Sequence, residues 1–400
     1  MVTELDDEGV PVVRVLIHMP TLGARGGAER YAAEIAAVLR DAGHSVGLAA
    51  AADLDLIDLG AYFGVDLHSV ELVTLPPADR IERMRPRRRA WQLRDALWSR
   101  RLRAWGPDVL VNAVYRSELH LAGVPHVVIC HFPHARAAAA TGLAAQVKEV
   151  LTRPRVAFPP SSALVIANSA FTQEHVRRRW GVCGPVVHPP CPLAEPVAGA
   201  RARTILSVGR FTAPQPHVPN KRFDVMIDAF AGLERLHEHG YRLVLIGSAA
   251  DADLAYVDEL RRRSHGLPIE MRVNVPFAEL QAAYARADMY WHAQGYGEDT
   301  DDFPEAQEHF GMSVVEAMSG GAVPVVFGTA GPAEIVGPVD GDLLWRTLDD
   351  LKQTTYALSE LDLAERERLR IRLRQRSEEF SREAFRDKLL GVLAPVLRDG

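Results

Sequence analysis

Strand-length apolar runs alternate with segments of helical periodicity along most of this 400-residue chain, and this alternation is what most constrains its fold. The run VVRVLIHM at 12–19 is followed by a glycine-containing turn and then by AERYAAEIAAVLRDAG, whose apolar residues recur at helical spacing. Nearly continuous apolar runs are typical of strands buried on both faces, and strands that alternate with helices form parallel sheets. The pattern therefore predicts an α/β protein with doubly wound parallel sheets.

The alternation occurs twice, which predicts two domains. Candidate strands of the first half lie at 12–19, 45–51, 108–114, 125–132 and 163–169. Those of the second half are TILSVGRF, RLVLIGSA, IEMRVNV, DMYWHA and AVPVVFG. We predict a Rossmann-like domain at 1–190, a proline- and alanine-rich linker at 191–203, a second Rossmann-like domain at 204–379, and a C-terminal helix at 380–400 that packs back on the first domain. Ligands of such sheets bind at the carboxyl ends of the strands, so the two domains are expected to face a cleft.

Composition narrows the class of protein. The formal net charge of −6 gives no electrostatic case for a nucleic-acid partner. No apolar run approaches the ~18 residues of a membrane span, and the acidic start of the chain lacks the pattern of a signal peptide. With only three cysteines a disulfide framework is not expected, so we predict a cytoplasmic protein. Cys130, His134, His188 and Cys191 match no zinc spacing, and we expect no metal.

Two features of the first half could bind a ligand. Gly26 and Gly27 lie in the turn after the first strand, where a backbone without side chains can approach an anion at a helix N-terminus. The turn does not fit the dinucleotide fingerprint G-x-G-x-x-G, since Arg25 and Ala28 occupy two of the glycine positions. His131 ends a predicted strand, which would place it at a ligand-binding edge. For each feature an ordinary structural role is the alternative.

Basic and acidic residues also follow strands of the second half. Arg210 comes directly after TILSVG, and Lys221, one of four lysines in the chain, precedes the next helix. An anion such as a diphosphate between the two side chains would explain both positions, and a solvated basic loop is the alternative. Further along, Asp299 and Asp301 form a D-x-D pattern that can hold a divalent ion, but we interpret it as an acidic surface loop.

The stretch EHFGMSVVEAMSGGAVPVV at 308–326 places two carboxylates eight residues apart at the start of a helix. Ser313 and Glu316 match an S-x-x-E capping box, in which each side chain binds a backbone amide at the helix start. Glu308 and Gly311 have no such structural explanation. These two residues therefore need a functional one.

A basic segment at 80–105 carries Trp91, Trp98 and Trp105 at seven-residue intervals. A helix of this kind could lie on a membrane surface, which would make the protein peripheral at the inner membrane face. Arginine greatly outnumbers lysine throughout the chain, so an arginine cluster carries less weight here than usual. We favour a stripe that packs within the first domain, and weak peripheral membrane contact stays open as the alternative.

Several motifs together resemble the family-4 retaining glycosyltransferases of the GT-B fold. They are Gly-Gly-Ala-Glu at 26–29, VGRF followed by Lys221, and the pair Glu308-x7-Glu316. The stretches CHFPHA, NSAFT, HPPC, WHAQGYGEDTDDFPEAQEHFG and GPAEIV are more closely similar to the α-1,2-mannosyltransferase branch that extends lipid-linked oligosaccharides. The segment TAPQPHVPN makes the interval between Arg210 and Lys221 longer than is common in the wider family, so either Lys221 or Arg222 could reach a phosphate.

The resemblance implies roles for the residues around the double-glutamate motif. Glu308 would face the hydroxyls of the donor sugar, and Glu316 would hold the ribose of the nucleotide. Because Gly311 lacks a side chain, the amides of Gly311, Met312 and Ser313 could approach the diphosphate.

The remaining candidate residues are given roles by the same resemblance. Arg210 and Lys221 would neutralise the charge of the leaving diphosphate, and His131 would contact the sugar. Gly26 and Gly27 would lie against the substrate.

The expected activity is transfer of a hexose, mannose as the first choice, from a nucleotide sugar to a hydroxyl of a glycoside or lipid-linked glycan acceptor. GDP-mannose or a UDP-sugar would be the donor, and the resemblance implies retention of configuration without a metal or other cofactor. Two alternatives stay open. One is an epimerase or hydrolase of the same fold that acts on a nucleotide sugar, and the other is a non-catalytic nucleotide-sugar-binding protein that assists a partner enzyme.

Overall fold

The computed structural model describes residues 12–24, 26–51, 53–78, 81, 87–114, 119–134, 159, 163–194 and 201–399. These residues form two compact units. One comprises the described residues up to Val187 together with those from Arg386 onward, and the other runs His188–Phe385.

The first unit is built on a parallel sheet with the strand order β3-β2-β1-β4-β5-β6. Its strands are β1 (Arg14–His18), β2 (Ser45–Ala50), β3 (Glu71–Thr74), β4 (Val109–Asn112), β5 (His126–Cys130) and β6 (Leu164–Ala167). Its helices are α1 (Gly27–Asp41), α2 (Leu56–Phe63), α3 (Arg87–Trp105) and α4 (Ala170–Trp180).

The second unit has a parallel sheet with the order β12-β11-β10-β7-β8-β9. Its strands are β7 (Thr204–Val208), β8 (Arg242–Gly247), β9 (Ile269–Val273), β10 (Met289–His292), β11 (Val323–Phe327) and β12 (Leu344–Trp345). Its helices are α5 (Phe223–Ala231), α6 (Glu234–Glu238), α7 (Leu254–Arg263), α8 (Phe277–Arg286), α9 (Met312–Ser319), α10 (Ala330–Val336), α11 (Leu348–Glu360) and α12 (Leu363–Glu378). A last helix, α13 (Arg382–Asp399), begins in this unit, and its residues from Arg386 onward belong to the first.

The two sheets have the same connectivity, and the predicted doubly wound parallel architecture is confirmed. Central strands such as β5 and β11 are buried at every position, which explains their continuous apolar sequences. The sequence prediction missed β3 and β12. Both are short edge strands, and an edge strand needs no apolar run because only part of it is covered.

The basic helix α3 packs into the first unit through two of its tryptophans. Trp98 and Trp105 are buried with Leu16 and Leu110 in one apolar cluster. Trp98 Nε1 donates to the carbonyl of Pro76 at 3.0 Å, and Trp105 Nε1 donates to a carboxylate at 2.7 Å. These two residues behave as the packing interpretation predicts, whereas the side chain of Trp91 lies outside the described part. Among the residues that the structure describes, no helix is both long and apolar enough to cross a membrane.

A buried charge fixes helix α12 to the sheet of the second unit. Asp288, at the start of β10, is only 4% exposed and accepts hydrogen bonds from Arg366 at 3.1 Å and from Tyr241 at 2.6 Å. Arg370 forms a second ion pair with the same carboxylate. Burial, with Asp288 adding to it, raises the pKa of Tyr241 to about 12. Two guanidinium groups from one helix therefore compensate a carboxylate that burial alone would strongly destabilise.

Candidate active site

Two loops leave the carboxyl ends of neighbouring strands in the second unit. Strands β7 and β10 pair in parallel, with Tyr290 opposite Leu206. The Lys221 loop (residues 209–222) follows β7, and the Glu308 loop (residues 293–311) follows β10. Because parallel neighbours end at the same edge of a sheet, these loops start side by side.

An ion pair joins the two loops. Lys221 Nζ binds Glu308 Oε2, and the two side chains are only 22% and 19% exposed. Gly209 makes room for this arrangement, because a Cβ atom at that position would lie 2.3 Å from Lys221 Cγ. The glycine of the VGRF motif thus allows the lysine side chain to cross the end of β7.

Glu308 carries a negative charge in spite of its surroundings. Burial by itself raises the pKa of this carboxyl, but the charge of Lys221 and the neighbouring His292 hold the pKa well below its ordinary value. The cluster therefore contains a paired, ionised carboxylate at the point where two strands end.

His292, the last residue of β10, is a member of this cluster that the sequence reasoning did not identify. Its side chain is 2% exposed, and Nε2 lies 3.5 Å from Glu308 Oε2. Neither ring nitrogen forms a hydrogen bond with good geometry to a residue that the structure describes. Burial lowers the pKa of His292, and the nearby Glu308 carboxylate opposes that shift. The rule that singled out His131, a histidine at the end of a strand, would also have found His292.

Helix α9 begins beside this cluster with an open N-terminus. Gly311 is its N-cap, at φ 110°, and no side chain caps the helix. The capping box predicted for Ser313 and Glu316 is therefore wrong. The helix starts two residues earlier than that motif requires, and the Ser313 hydroxyl accepts a hydrogen bond from Tyr290 at 2.7 Å instead. Within the described chain no protein acceptor binds the amides of Met312 and Ser313, so this end of α9 can bind an anion.

Glu316 lies one turn further along α9 and is 8% exposed. It stands next to the buried Tyr284, whose pKa is raised well above its ordinary value by burial and, to a smaller extent, by the Glu316 carboxylate. Since Glu316 does not cap the helix, the competition between capping and ligand binding that the sequence suggested does not arise.

The structure distinguishes the two basic residues at the end of the Lys221 loop. Lys221 points to Glu308, whereas Arg222 turns to the carbonyl oxygen of Tyr296 and to Asp224, 3.3 Å away. Of these two, only Lys221 joins the ionised cluster. Arg210 is exposed and forms no ion pair with any residue that the structure describes.

The D-x-D stretch has a structural role. The Asp299 carboxylate accepts hydrogen bonds from the amides of Asp301 and Asp302, at 2.8 and 2.9 Å. A carboxylate used in this way closes a turn. In the described ranges, no group of three histidine, cysteine, aspartate or glutamate side chains could hold a metal ion.

In the first unit, His131 follows β5 directly. Its Nε2 is 2.9 Å from the carbonyl oxygen of Ala113, and its own carbonyl accepts hydrogen bonds from Asn168 and Thr172. Burial lowers the pKa of His131, although the bond to Ala113 and the charge of Glu29 oppose the shift. A carbonyl can only accept, so Nε2 carries the proton of the neutral ring and Nδ1 is left as an acceptor.

The glycine turn before α1 is partly occupied by its own chain. The Gly26 amide donates to Glu29 Oε2 at 3.0 Å, and the other oxygen of that carboxylate accepts from the Thr21 hydroxyl at 2.8 Å. The Gly26 amide is therefore already engaged, while Gly27 is the first residue of α1.

Comparison with protein families gives two adjoining matches. Residues 25–194 match the model "Glycosyltransferase Family 4", and residues 196–346 match "Glycosyl transferases group 1". Similar curated proteins include the GDP-Man:Man(3)GlcNAc(2)-PP-Dol alpha-1,2-mannosyltransferases of Homo sapiens and Mus musculus, each 30% identical over 59% of this chain. That match spans 49% of each relative, so the chain covers about half the length of these proteins.

Solved structures resemble the whole described fold. HepE of Anabaena, in complex with UDP and glucose, has a TM-score of 0.65 at 18% identity and covers 96% of this chain and all of its own. The lipopolysaccharide glycosyltransferase WaaG has a TM-score of 0.60 at 15% identity, covering 94% of this chain and 98% of its own. At these identities the likeness shows the fold alone. Together with the two family matches and the mannosyltransferase relatives, it establishes that the chain belongs to the family-4 glycosyltransferases of the GT-B fold.

Proposed function

We propose that this glycosyltransferase is a retaining, metal-independent hexosyltransferase that moves mannose from a nucleotide sugar to a hydroxyl of a glycoside or glycan. The observation that carries the proposal is the cluster of Lys221, Glu308 and His292 beside the uncapped N-terminus of α9. A cation, an ionised carboxylate and open backbone amides at one strand edge suit a diphosphate joined to a sugar.

The leaving diphosphate accounts for the basic side of the cluster. As the bond between the sugar and the phosphate breaks, negative charge builds up on the diphosphate oxygens. The ammonium of Lys221 and the amides of Met312 and Ser313 would stabilise that charge, and the exposed Arg210 could swing onto it from the same loop. A fixed array of donors of this kind needs little rearrangement during the reaction, which is how it lowers the barrier.

The carboxylates account for the two ends of the donor. Glu308 would accept hydrogen bonds from sugar hydroxyls, with His292 holding its orientation. Glu316 would bind the two ribose hydroxyls from its largely buried position on α9. In the first unit, His131 would accept a hydrogen bond from a sugar hydroxyl at Nδ1, because Ala113 already engages Nε2.

The same set of groups supports the proposal of retention without a metal. Within the described cluster, Glu308 is paired with Lys221 and is not poised as a free nucleophile. The acceptor hydroxyl would therefore attack the anomeric carbon on the face from which the diphosphate leaves. A phosphate oxygen of the leaving group would take the hydroxyl proton. The positive charge that a metal would supply comes from Lys221 and Arg210.

The donor and acceptor are proposed by analogy with the relatives. The names of the mannosyltransferase relatives specify GDP-mannose as donor and a dolichol-linked oligosaccharide as acceptor. HepE, which shares the fold, was crystallised with UDP and glucose. We therefore place GDP-mannose first and a UDP-sugar second, with a glycoside or lipid-linked glycan as acceptor.

The test is a panel of nucleotide sugars screened by thermal shift, followed by a transfer assay with the donor that stabilises the protein most. A ligand that binds only the folded state raises the melting temperature by mass action. We expect GDP-mannose to give the largest shift and to yield an α-linked product with an acceptor present. Free sugar or an epimer without any transfer product would favour the epimerase or hydrolase alternative. Binding with no turnover of any kind would favour the non-catalytic one.

A further inference from the structure

Two sequence features have no part in the proposed chemistry. One is the long segment between Arg210 and Lys221, and the other is the acidic stretch at 297–305 within the Glu308 loop. The structure brings them together. Each is the outer part of one of the two loops that carry the reacting cluster, and the two outer parts are in direct contact.

A single carboxylate holds the tip of the Lys221 loop. Glu298 Oε1 accepts the backbone amide of His217 at 3.0 Å, and Oε2 lies 2.9 Å from the His217 ring nitrogen Nδ1. His217 adopts a φ of 61°, a left-handed conformation that is uncommon for a residue other than glycine. The carboxylate therefore fixes the backbone and the side chain of a residue that would otherwise avoid this conformation.

A phenyl ring covers the other side of the same histidine. Phe303 stacks on His217 with ring centroids 3.5 Å apart and ring planes 12° from parallel. Phe303 is itself held by the Asp299 turn, since its amide donates to the Asp299 carbonyl at 2.9 Å. The D-x-D stretch thus builds the turn that presents Phe303 to the Lys221 loop.

Closer to the cluster, a second contact joins the two loops. Arg222 donates to the carbonyl oxygen of Tyr296, and its guanidinium lies 5.9 Å from the centre of the Tyr296 ring. Gly297 provides the space for this side chain, because a Cβ atom there would be 3.2 Å from Arg222 Nη1. From the tip inward, the loops are attached at His217, then at Arg222, and finally at Lys221 and Glu308.

We propose that His217, Glu298 and Phe303 form a clamp that positions Lys221 for the departing diphosphate. The three are positioning residues, which act through Lys221 and do not touch the substrate. The inference rests on the proposed function, because it assigns the clamp to the same donor site.

The physical argument is one of loop freedom. A longer segment between two fixed ends samples more conformations, and lysine adds a flexible four-carbon side chain at the end of it. An exposed ion pair alone would restrain such a loop weakly. Here the restraint combines a backbone hydrogen bond, a side-chain hydrogen bond and a ring stack on one residue. The clamp therefore removes the freedom that the additional residues introduce.

The test is a double-mutant cycle between the clamp and the residue it positions. We expect His217→Ala to lower kcat/KM by about tenfold in the wild-type background but to have almost no effect when Lys221→Ala is already present. His217→Asn should recover most of the activity, because asparagine tolerates the left-handed conformation and keeps an N–H donor for Glu298. His265→Ala, at an exposed histidine of the same unit, is the matched control and should leave kcat/KM unchanged.

Hydrogen–deuterium exchange provides a readout that does not depend on activity. His217→Ala should speed exchange across 211–220 and 295–303, with protection in the β8 strand unchanged. If exchange rises but kcat/KM does not fall, the clamp exists without positioning Lys221, and the inference is wrong. Equal losses in both backgrounds, or unchanged exchange, would also overturn it. If no nucleotide sugar binds the wild-type protein, the proposed function fails, whereas the exchange experiment still decides whether the clamp forms.

Discussion

The carboxyl ends of the two sheets differ in charge although the sheets share one strand order. In the first unit, β1 ends in His18 and β5 is followed by His131, and burial lowers the pKa of both rings, that of His18 to about 3. In the second unit, the strand-end histidine His292 lies against Glu308, which is ionised and paired with Lys221. One edge therefore presents neutral rings, and the other presents a compensated pair of charges.

The same strand order places the carboxyl ends of the strands along one edge of each sheet. The residues at those strand ends determine which chemical groups the edge can bind. The ammonium of Lys221 has three N–H donors, so it can bind a diphosphate while it stays paired with Glu308. A neutral imidazole suits a hydroxyl, to which it can offer a single acceptor nitrogen. The charged edge of the second unit thus suits an anion, and the neutral edge of the first unit suits a hydroxyl group.

The largest effect is expected from removing the cation of the charged edge. Lys221→Ala should lower kcat/KM by about 10²- to 10³-fold, because the departing diphosphate loses its closest positive charge and Glu308 is left buried without a partner. Lys352→Ala, at a lysine that pairs with Asp349 on α11, is the matched control. Steady-state kinetics with the best donor measures the effect. Full activity in Lys221→Ala would mean that the charged edge is structural.

Acidification should destabilise the first unit at a higher pH than the second. Burial lowers the pKa of His18 to about 3 and of His126 to about 4, whereas an unfolded histidine titrates near 6.5. Below about pH 6.5 these histidines bind protons in the unfolded chain but not in the folded one. Proton binding therefore favours unfolding, and the free energy of unfolding decreases as the pH falls below this value. For a fully buried ring such as His18, the loss between pH 6.5 and pH 5 is about 2 kcal/mol.

The measurement is hydrogen exchange of each unit between pH 7.5 and pH 5, corrected for the intrinsic rate. His292 destabilises the second unit in the same way as the pH falls. The stabilising contribution of Glu308, whose pKa is lowered, is lost only below about pH 4.5. Protection should therefore fall first in the first unit, and His126→Gln should make that fall shallower. If protection fell equally steeply with pH in the two units, the strand-end groups of the two sheets would not differ in their effect on stability.

Glu316 tests whether the charged edge extends along α9. Glu316→Gln keeps the size of the side chain but not its charge, so we expect donor affinity to fall about tenfold, or ~1.4 kcal/mol, with little change in melting temperature. Because Glu316 does not cap α9, the substitution should not affect helix stability through the loss of a cap. Titration calorimetry with GDP-mannose and thermal melts provide the two readouts. Unchanged affinity would assign Glu316 to packing against Tyr284.

The smallest effect is expected from chelation. Because Lys221 and Arg210 supply the positive charge in the proposed mechanism, excess EDTA should leave the transfer rate unchanged. Activity that disappears in EDTA and returns with magnesium or manganese would show that a metal ion, and not Lys221, compensates the charge of the diphosphate.

The central strands and their parallel order could be predicted because burial on both faces leaves a continuous apolar signal in the sequence. Edge strands β3 and β12 leave no such signal. The sequence pattern also failed at Ser313, where an S-x-x-E match predicted an N-cap at a residue that lies inside the helix. A short motif describes neighbours along the chain, whereas the true partner of Ser313 is Tyr290, on a neighbouring strand.

The candidate site could be predicted only in part, for a related reason. Glu308 and Lys221 were found because each looked out of place in its own segment. Their pairing, and the choice of Lys221 over Arg222, depend on two loops that are 87 residues apart in sequence. His292 was missed although it ends an apolar strand as His131 does, because the rule was applied to the first half of the chain alone.

The anchoring of α12 determines where the second unit of this enzyme can be separated from the rest of the chain without loss of stability. The family match ends at residue 346, well before the helix that supplies Arg366 and Arg370. A fragment that stopped there would bury Asp288 without its cations, a change that typically costs about 3–5 kcal/mol. Chimeras that exchange this unit between related enzymes should therefore be joined after residue 385, so that the exchanged piece contains its own counterions.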